Sequence, residues 1–312
     1  MRRGHVVCMD LGGTNVRLGI VNARGVVLRR RRLRMEAFRR KEDLLKSLGE
    51  SLAAFVASSK DLGRPRAAAL SFAGPTKSGA GLVYYAPNVG CFSNIEVASY
   101  LKRVLALPVV VENDANCAAL GEFWHGAGRG AGSLFVFTVG TGIGGSFIVG
   151  GDVWRGEDGI AGEVGHTVVA MGGPRCSCGT RGCLEALVSA TAIVRGYCGP
   201  GRRGACKAGT GLTAKMVFDR ARQGDRRAQR VVTASGRALG VGIANVFHLL
   251  NPELILIGGG VSRAGSMLLD PAIDEARSMI FPPLRARLKV KRTALGDDAG
   301  LLGAAYLGFK LP

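Results

Sequence analysis

The stretch His5-Val6-Val7-Cys8-Met9-Asp10-Leu11-Gly12-Gly13-Thr14-Asn15-Val16-Arg17-Leu18-Gly19-Ile20-Val21 decides how the chain is read. Two apolar runs flank a Gly-Gly-Thr-Asn turn, which predicts strands over 5–11 and 16–21 joined by a tight loop. The pattern restarts at residue 133. There, 133–139, a Gly140-Thr141-Gly142 turn and a strand over 146–149 follow one another. At a constant offset of 128, residues 9–21 laid over 137–149 match Gly12 with Gly140, Ile20 with Ile148 and Val21 with Val149. A repeat of this kind predicts two similar α/β halves with a cleft between them.

Working outward, a third strand is expected over 26–33, and Leu44, Leu45, Leu48, Leu52, Phe55 and Val56 recur at helical spacing. Strands are predicted over 67–72, 109–111 and 254–257. Helices are predicted over 95–107, 115–124, 184–196, 213–223, 226–250 and 265–280. The expected domains are 1–114, joined by a C-terminal helix 298–312, and 115–297.

Of the 312 residues, 47% are hydrophobic and 21% charged, which suits a globular chain and not a disordered one. Met1-Arg2-Arg3-Gly4 runs straight into a strand, so no secretory leader is read and a cytoplasmic protein is expected. The uncharged run 133–151 is too rich in glycine for a membrane span. The net charge of +19 divides as +10 over 1–114, −1 over 115–200 and +10 over 201–312. Basic flanks can attract nucleic acid, polyphosphate or membrane. Because 32 of the 42 basic residues are arginine, a bias in usage spread over solvated faces is the favoured reading. Arg29-Arg30-Arg31-Arg32-Leu33-Arg34 has no interleaved aromatics for base stacking and reads as an edge strand protected by charge. No membrane or specific nucleic-acid partner is expected.

Three glycine turns each follow a strand: Asp10-Leu11-Gly12-Gly13-Thr14-Asn15, Thr138-Val139-Gly140-Thr141-Gly142 and Gly258-Gly259-Gly260. Bare backbone amides beside threonine hydroxyls form nests for phosphate oxygens, and the Asp10 carboxylate could hold magnesium through water. No Gly-x4-Gly-Lys-Ser/Thr P-loop occurs. Gly140-x-Gly142-x-x-Gly145 matches the dinucleotide fingerprint, but the strand-like Ser146-Phe147-Ile148-Val149 stands where that motif needs a helix. Glu112-Asn113-Asp114-Ala115-Asn116 lies where a buried strand becomes a helix. Asp114 there is either a plain N-cap or, facing a cleft, a base kept ionised by the helix dipole. Asn113 would bind a neighbouring hydroxyl.

Eight cysteines in a reducing compartment are not expected to form a disulfide framework. Cys176, Cys178 and Cys183 crowd together ten residues after Gly162-Glu163-Val164-Gly165-His166. One imidazole and three thiolates make a closed, structural zinc site, with the loop 166–183 tethering Glu163 and Glu185 as acceptors for vicinal hydroxyls.

The motifs at 10–15, 112–116 and 162–166, with Cys-x-Cys-Gly-x-x-Gly-Cys-x-Glu at 176–185 and Asn-Pro-Glu-Leu-Ile-Leu-Ile-Gly-Gly-Gly at 251–260, together resemble the ROK family. That family comprises bacterial sugar kinases, related repressors and open reading frames. The resemblance implies two actin/hexokinase-like (ribonuclease H-like) α/β domains flanking a cleft, with a zinc loop in the second. It also implies a cytoplasmic kinase of carbohydrate metabolism that moves the γ-phosphoryl of Mg-ATP to the 6-hydroxyl of a hexose, glucose first. By resemblance, Gly12, Gly13 and Thr14 form one phosphate loop and Thr138, Gly140, Thr141 and Gly142 the second, with Gly258 and Gly259 approaching adenosine. Asp114 is then the base, and Gly74, Asn88, Asn113, Glu163, His166 and Glu185 hold the sugar, His166 also binding zinc. N-acetylmannosamine, fructose and mannose are alternative acceptors, and polyphosphate is an alternative donor suited to a basic surface. A repressor would need a DNA-binding domain before Asp10, where nine residues stand. A non-catalytic sugar-binding regulator is the remaining reading, and a dimer or tetramer is implied.

Overall fold

The computed structural model describes residues 4–12, 15–38, 43–86, 92–199 and 211–312. Gly13, Thr14 and Asn88 of the expected site lie outside the described residues. The antiparallel strands β1 (His5–Leu11), β2 (Asn15–Asn22) and β3 (Val27–Arg34) come first, followed by α1 (Leu44–Ala57) and β4 (Ala67–Phe72), which pairs parallel to β1. A small antiparallel sheet follows, made of β5 (Thr76–Lys77), β6 (Leu82–Ala86) and β7 (Phe92–Glu96). Then come α2 (Val97–Leu105), the parallel strand β8 (Val109–Asn113) and α3 (Asp114–His125). The main sheet has the order β3-β2-β1-β4-β8.

The second sheet repeats this plan. Strand β9 (Ser133–Val139) starts 128 residues after β1, and β10 (Ile143–Val149) starts 128 after β2. With β11 (Asp152–Val153) the hairpin extends on one side, as β3 does in the first sheet. The helices α4 (Leu184–Val188), α5 (Ala190–Cys198), α6 (Ala214–Arg222) and α7 (Arg226–Leu250) intervene before β12 (Leu254–Gly258), parallel to β9. The chain ends with α8 (Ser266–Met279), the parallel strand β13 (Val290–Arg292) and α9 (Ala299–Lys310). The order β11-β10-β9-β12-β13 mirrors the first sheet, so the 128-residue offset is structural. Strands β1, β4 and β12 are buried throughout, as parallel strands covered on both faces must be.

The chain forms two compact units. One comprises Met1–Gly130, Phe147–Ala161 and Ala294–Pro312; the other comprises Ala131–Ser146 and Gly162–Thr293. In the first unit, Met9, Leu11, Leu18, Phe38, Leu48 and Phe72 are wholly buried in one core. Helix α9 meets α3 backbone to backbone, because a Cβ on Gly303 would stand 1.7 Å from the Cys117 carbonyl oxygen. Glu122 of α3 has no exposed surface, and its carboxylate accepts hydrogen bonds from the amides of Ala127, Ala294 and Leu295 at 2.8–3.0 Å. This tie holds the chain where it returns to the unit. Since Ala294 and Leu295 are partly open to water, Glu122→Ala is expected to cost roughly 2–4 kcal/mol in urea unfolding, below the sum for three sealed amides. A loss under about 1 kcal/mol would show that the tie is idle.

Strand β3 is the sheet edge, and its arginines are engaged by their own surface. Arg29 pairs with Asp61 at 2.8 Å, Arg30 with Asp298 at 3.3 Å, and Arg31 lies over the Phe55 ring. No helix among the described residues is long and apolar enough to cross a membrane.

Several expected boundaries are corrected. Ile95 and Glu96 belong to β7, where they pair with Val83 and Leu82, so the helix begins at Val97. The helix expected over 184–196 breaks at Ser189, whose extended backbone ends α4 and whose hydroxyl caps α5. Strand β10 begins at Ile143 and runs through the residues after Gly142, which removes the dinucleotide fingerprint as expected. Cys198 is disulfide-bonded, a bridge the sequence reading did not foresee, whereas Cys8, Cys117, Cys176, Cys178 and Cys183 are free.

Candidate active site

Asn113, not Asp114, is the N-cap of α3. Its Oδ1 accepts from the amides of Ala115 and Asn116 at 2.9 and 3.2 Å, satisfying two of the donors that a helix start leaves open. Its Nδ2 donates to the Gly74 carbonyl at 3.0 Å, so these two expected sugar residues are in contact. Asp114 occupies the first helical position, half-buried, with Oδ1 accepting from Ala115 N at 2.9 Å. A carboxylate there sits in the positive field of the helix start.

Behind it, Glu112 is fully buried. Its Oε1 accepts from Asn113 N at 2.9 Å and Asn116 Nδ2 at 3.0 Å, and its Oε2 accepts from Arg155 Nε at 2.8 Å. Asp10 is the penultimate residue of β1, paired with Ser71 of β4. Ser71 Oγ donates to its Oδ1 at 2.6 Å and Arg17 Nη1 to its Oδ2 at 3.1 Å. Burial pushes the Asp10 carboxyl above its ordinary range, against the pull of Ser71 and Arg17. Gly12 closes the following turn through its amide, which donates to the Asn15 carbonyl at 3.0 Å.

In the other unit, Thr138 lies at the end of β9, and the Gly140 amide donates to Gly142 O at 2.8 Å. Nothing lies within 4 Å of a Cβ built on Gly140, and Thr141 is exposed, so the turn presents an open backbone. Gly259 follows β12 with φ +83°, and a Cβ there would strike the Val139 carbonyl at 2.3 Å, so the second and third glycine turns touch. A Cβ on Gly258 would stand 2.7 Å from the Thr293 methyl carbon.

Glu185, in the first turn of α4, accepts from Ile143 N at 3.0 Å through Oε2 and from Ser177 Oγ at 3.1 Å through Oε1. Glu163 precedes the short turn 164–166, half exposed, with Oε2 4.0 Å from His166 Nε2. Burial raises its carboxyl pKa; the charge of His166 opposes this and that of Glu185 adds to it.

The ligand atoms of His166, Cys176, Cys178 and Cys183 all lie within 4.8 Å of one another. Cys176 Sγ is 3.7 Å from His166 Nδ1, and Cys178 Sγ is 3.7 Å from Cys183 Sγ. Two sulfurs at ordinary bond lengths from a tetrahedral zinc would be about 3.8 Å apart, so the residues present fit that ion. With Nδ1 toward the thiols, Nε2 turns to Glu163, the carboxylate–histidine arrangement common behind metal ligands. The amide and hydroxyl of Thr180 lower the Cys178 thiol to about 6.

Within the first unit the structure gathers Asp10, Gly12, Gly74, Asn113 and Asp114. Within the second it gathers Thr138, Gly140, Thr141, Gly142, Glu163, His166, Glu185, Gly258, Gly259 and the three cysteines. Arg155 and Ser71 were not foreseen, because their partners Glu112 and Asp10 lie 43 and 61 positions away in sequence; Ser177 stood as the unassigned position between Cys176 and Cys178, eight residues before Glu185.

A ROK family model matches residues 6–310. The chain is 38% identical to a glucokinase of Thermotoga maritima over 97% of this chain and 96% of that one. A glucokinase of Halalkalibacterium halodurans is 36% identical over 96% and 94%. The crystal structure of a ROK family glucokinase from Streptomyces griseus, in complex with glucose and AMPPNP, superposes with a TM-score of 0.81 at 32% identity, covering 99% of this chain and 100% of that one. The actin/hexokinase-like fold is therefore shared. Since the family match runs from strand β1 into the last turn of α9, neither unit stands outside it, and the chain belongs to the ROK family.

Proposed function

We propose that this protein is a glucokinase, transferring the γ-phosphoryl group of ATP to the 6-hydroxyl of glucose. The carrying observation is Asp114 at the first position of α3, held between the Asn113 cap and the Glu112 clamp. The near full-length similarity to glucokinases supports the same reading.

As O6 bonds to the γ-phosphorus, its proton passes to the Asp114 carboxylate, and the bond from phosphorus to the β-phosphate oxygen breaks to release ADP. Phosphoryl transfer of this kind depends mainly on positioning and charge stabilisation. Asn113, Gly74, Asn88, Glu163, His166 and Glu185 are assigned to the sugar. Gly12, Gly13, Thr14 and the Thr138–Gly142 turn are assigned to the phosphates, and Gly258 and Gly259 to adenosine. Glycine in the turn after β12 is what close backbone approach requires, since a side chain at 259 would meet Val139. Magnesium arriving with the nucleotide would supply charge neutralisation. Asp10 Oδ1 accepts from Ser71 Oγ and Oδ2 from Arg17 Nη1, and a second lone pair on each oxygen suits contact through water. Zinc would be structural, held by His166, Cys176, Cys178 and Cys183 with no open position.

The deciding assay is sugar-dependent ADP release from Mg-ATP, comparing glucose, mannose, fructose, N-acetylmannosamine and N-acetylglucosamine. Glucose is expected to give the highest kcat/KM. Absence of turnover on every sugar, with polyphosphate also failing as donor, would overturn the reading.

A further inference from the structure

We propose that Arg155 is a positioning residue for the phosphoryl-transfer reaction, acting through Glu112 on the helix start that carries Asp114. This rests on Asp114 being the base. Among the described residues, the Arg155 guanidinium donates to Glu112, Asp152 and Val153, none of which is assigned to substrate; it belongs to the segment that follows β11, 41 positions after Asp114 in sequence.

The physical reason begins with Glu112. A carboxylate with no exposed surface needs a compensating cation and hydrogen bonds on both oxygens. Oε1 receives Asn113 N and Asn116 Nδ2, groups on either side of Asp114 in the chain. Oε2 receives Arg155 Nε at 2.8 Å, which supplies the compensating positive charge. The guanidinium is itself held: Nη1 donates to the Val153 carbonyl at 3.1 Å, and Nη1 and Nη2 lie 3.3 Å from Asp152 Oδ1. Asp152 is half exposed and shares its other oxygen with Lys310 at 3.5 Å, so Glu112 is the buried anion that depends on Arg155. The connection therefore runs from the β11 segment through the guanidinium to Glu112, and from there to both flanks of Asp114.

Without the arginine, Glu112 must find water or reorient, and either movement releases Asn113 N and Asn116. Asn113 also caps α3 and grips Gly74, so the peptide before Asp114 would tilt as a unit. Misplacement of about 1 Å at a reacting group costs ~10²-fold in rate, whereas sugar contacts made in the ground state would change little. An ion pair of purely structural value predicts a different outcome: lower melting temperature with kcat preserved.

The test measures kcat, KM for glucose and calorimetric glucose affinity for Arg155→Met, Arg155→Lys, Glu112→Gln and the Glu112→Gln/Arg155→Met double variant, with Asp114→Asn in parallel. Arg155→Met is expected to lose ~10²-fold in kcat with KM and affinity within about threefold. Arg155→Lys should recover part of the loss, since charge returns without the fixed guanidinium fork. Removing the buried charge together with its partner should restore at least about tenfold over Arg155→Met, a coupling that independent sites do not show. Arg155→Met with near-wild-type kcat, or a rise in KM alone, would overturn the proposal while an inactive Asp114→Asn left the base assignment standing. A fully active Asp114→Asn would remove both. Should Arg155→Met fail to fold, Arg155→Lys decides: unchanged kcat overturns the proposal, and a drop of about tenfold at constant KM supports it.

Discussion

Asp114→Asn is expected to lower kcat by ~10²–10⁴-fold while glucose affinity stays within a few-fold of wild type. The substitution separates charge from shape. Asparagine keeps an oxygen for the Ala115 amide, now 2.9 Å away, and is tolerated in the first turn of a helix. Asn113 continues to cap α3, so the helix start should persist. What disappears is the group able to take the O6 proton. The phosphate loops and sugar contacts remain, and with them binding and part of the rate. Coupled ADP release and glucose calorimetry on the same preparation check both halves. Turnover near wild type would mean that the proton leaves by another route and that Asp114 is no base.

The second large effect concerns the metal loop. Cys178→Ser should abolish bound zinc, measured by atomic absorption, and lower glucose affinity by more than about tenfold. Cys178 is exposed, and its sulfur lies 3.7 Å from that of Cys183 within the four-residue cluster, so the exchange adds no buried defect. Besides an ion, the loop 166–183 is held by its own backbone hydrogen bonds: Val169 N and Ala170 N to Gly182 O, Gly173 N to Ala170 O, Cys176 N to Thr180 O, Gly179 N to Cys176 O and Gly182 N to Pro174 O. Without the ion, those turns are left to hold His166 and the Ser177 hydroxyl that anchors Glu185. Structural zinc contributes on the order of 10 kcal/mol in isolated fingers, and less here because α4 and the turn 164–166 pack against the rest of the unit. A metal-free variant with full glucose affinity would sink the idea that zinc organises the sugar residues.

Much of the fold was legible because its signals are local. The alternation and turn of residues 5–21 and their echo at 133–149 describe hairpins, and both hairpins form with the same offset. Ile95 and Glu96 were misread because the helical spacing of the following residues extends into them; pairing with Val83 and Leu82 makes them strand. Ser189 ended a helix whose apolar spacing continued unbroken, since a hydroxyl able to cap also competes with the ladder. Strand β13, three residues long, left no periodicity to read.

For the site the division is similar. The candidate metal set is legible by residue type and short spacing, since Cys176, Cys178 and Cys183 must lie close whatever the rest of the chain does. Glycine turns after strands and a carboxylate at a strand-to-helix junction are likewise written within a few residues. The sequence by itself therefore determined the repeated α/β plan, and it named the candidate base and a candidate metal set whose ligand atoms the structure brings within 4.8 Å. Only the tertiary structure decided that Asn113 is the cap, that Arg155 compensates Glu112, and that Glu122 ties down residues 294 and 295. Local backbone preference and spacing leave a periodic trace in the chain, whereas a buried charge finds its partner through packing between distant segments, which leaves none.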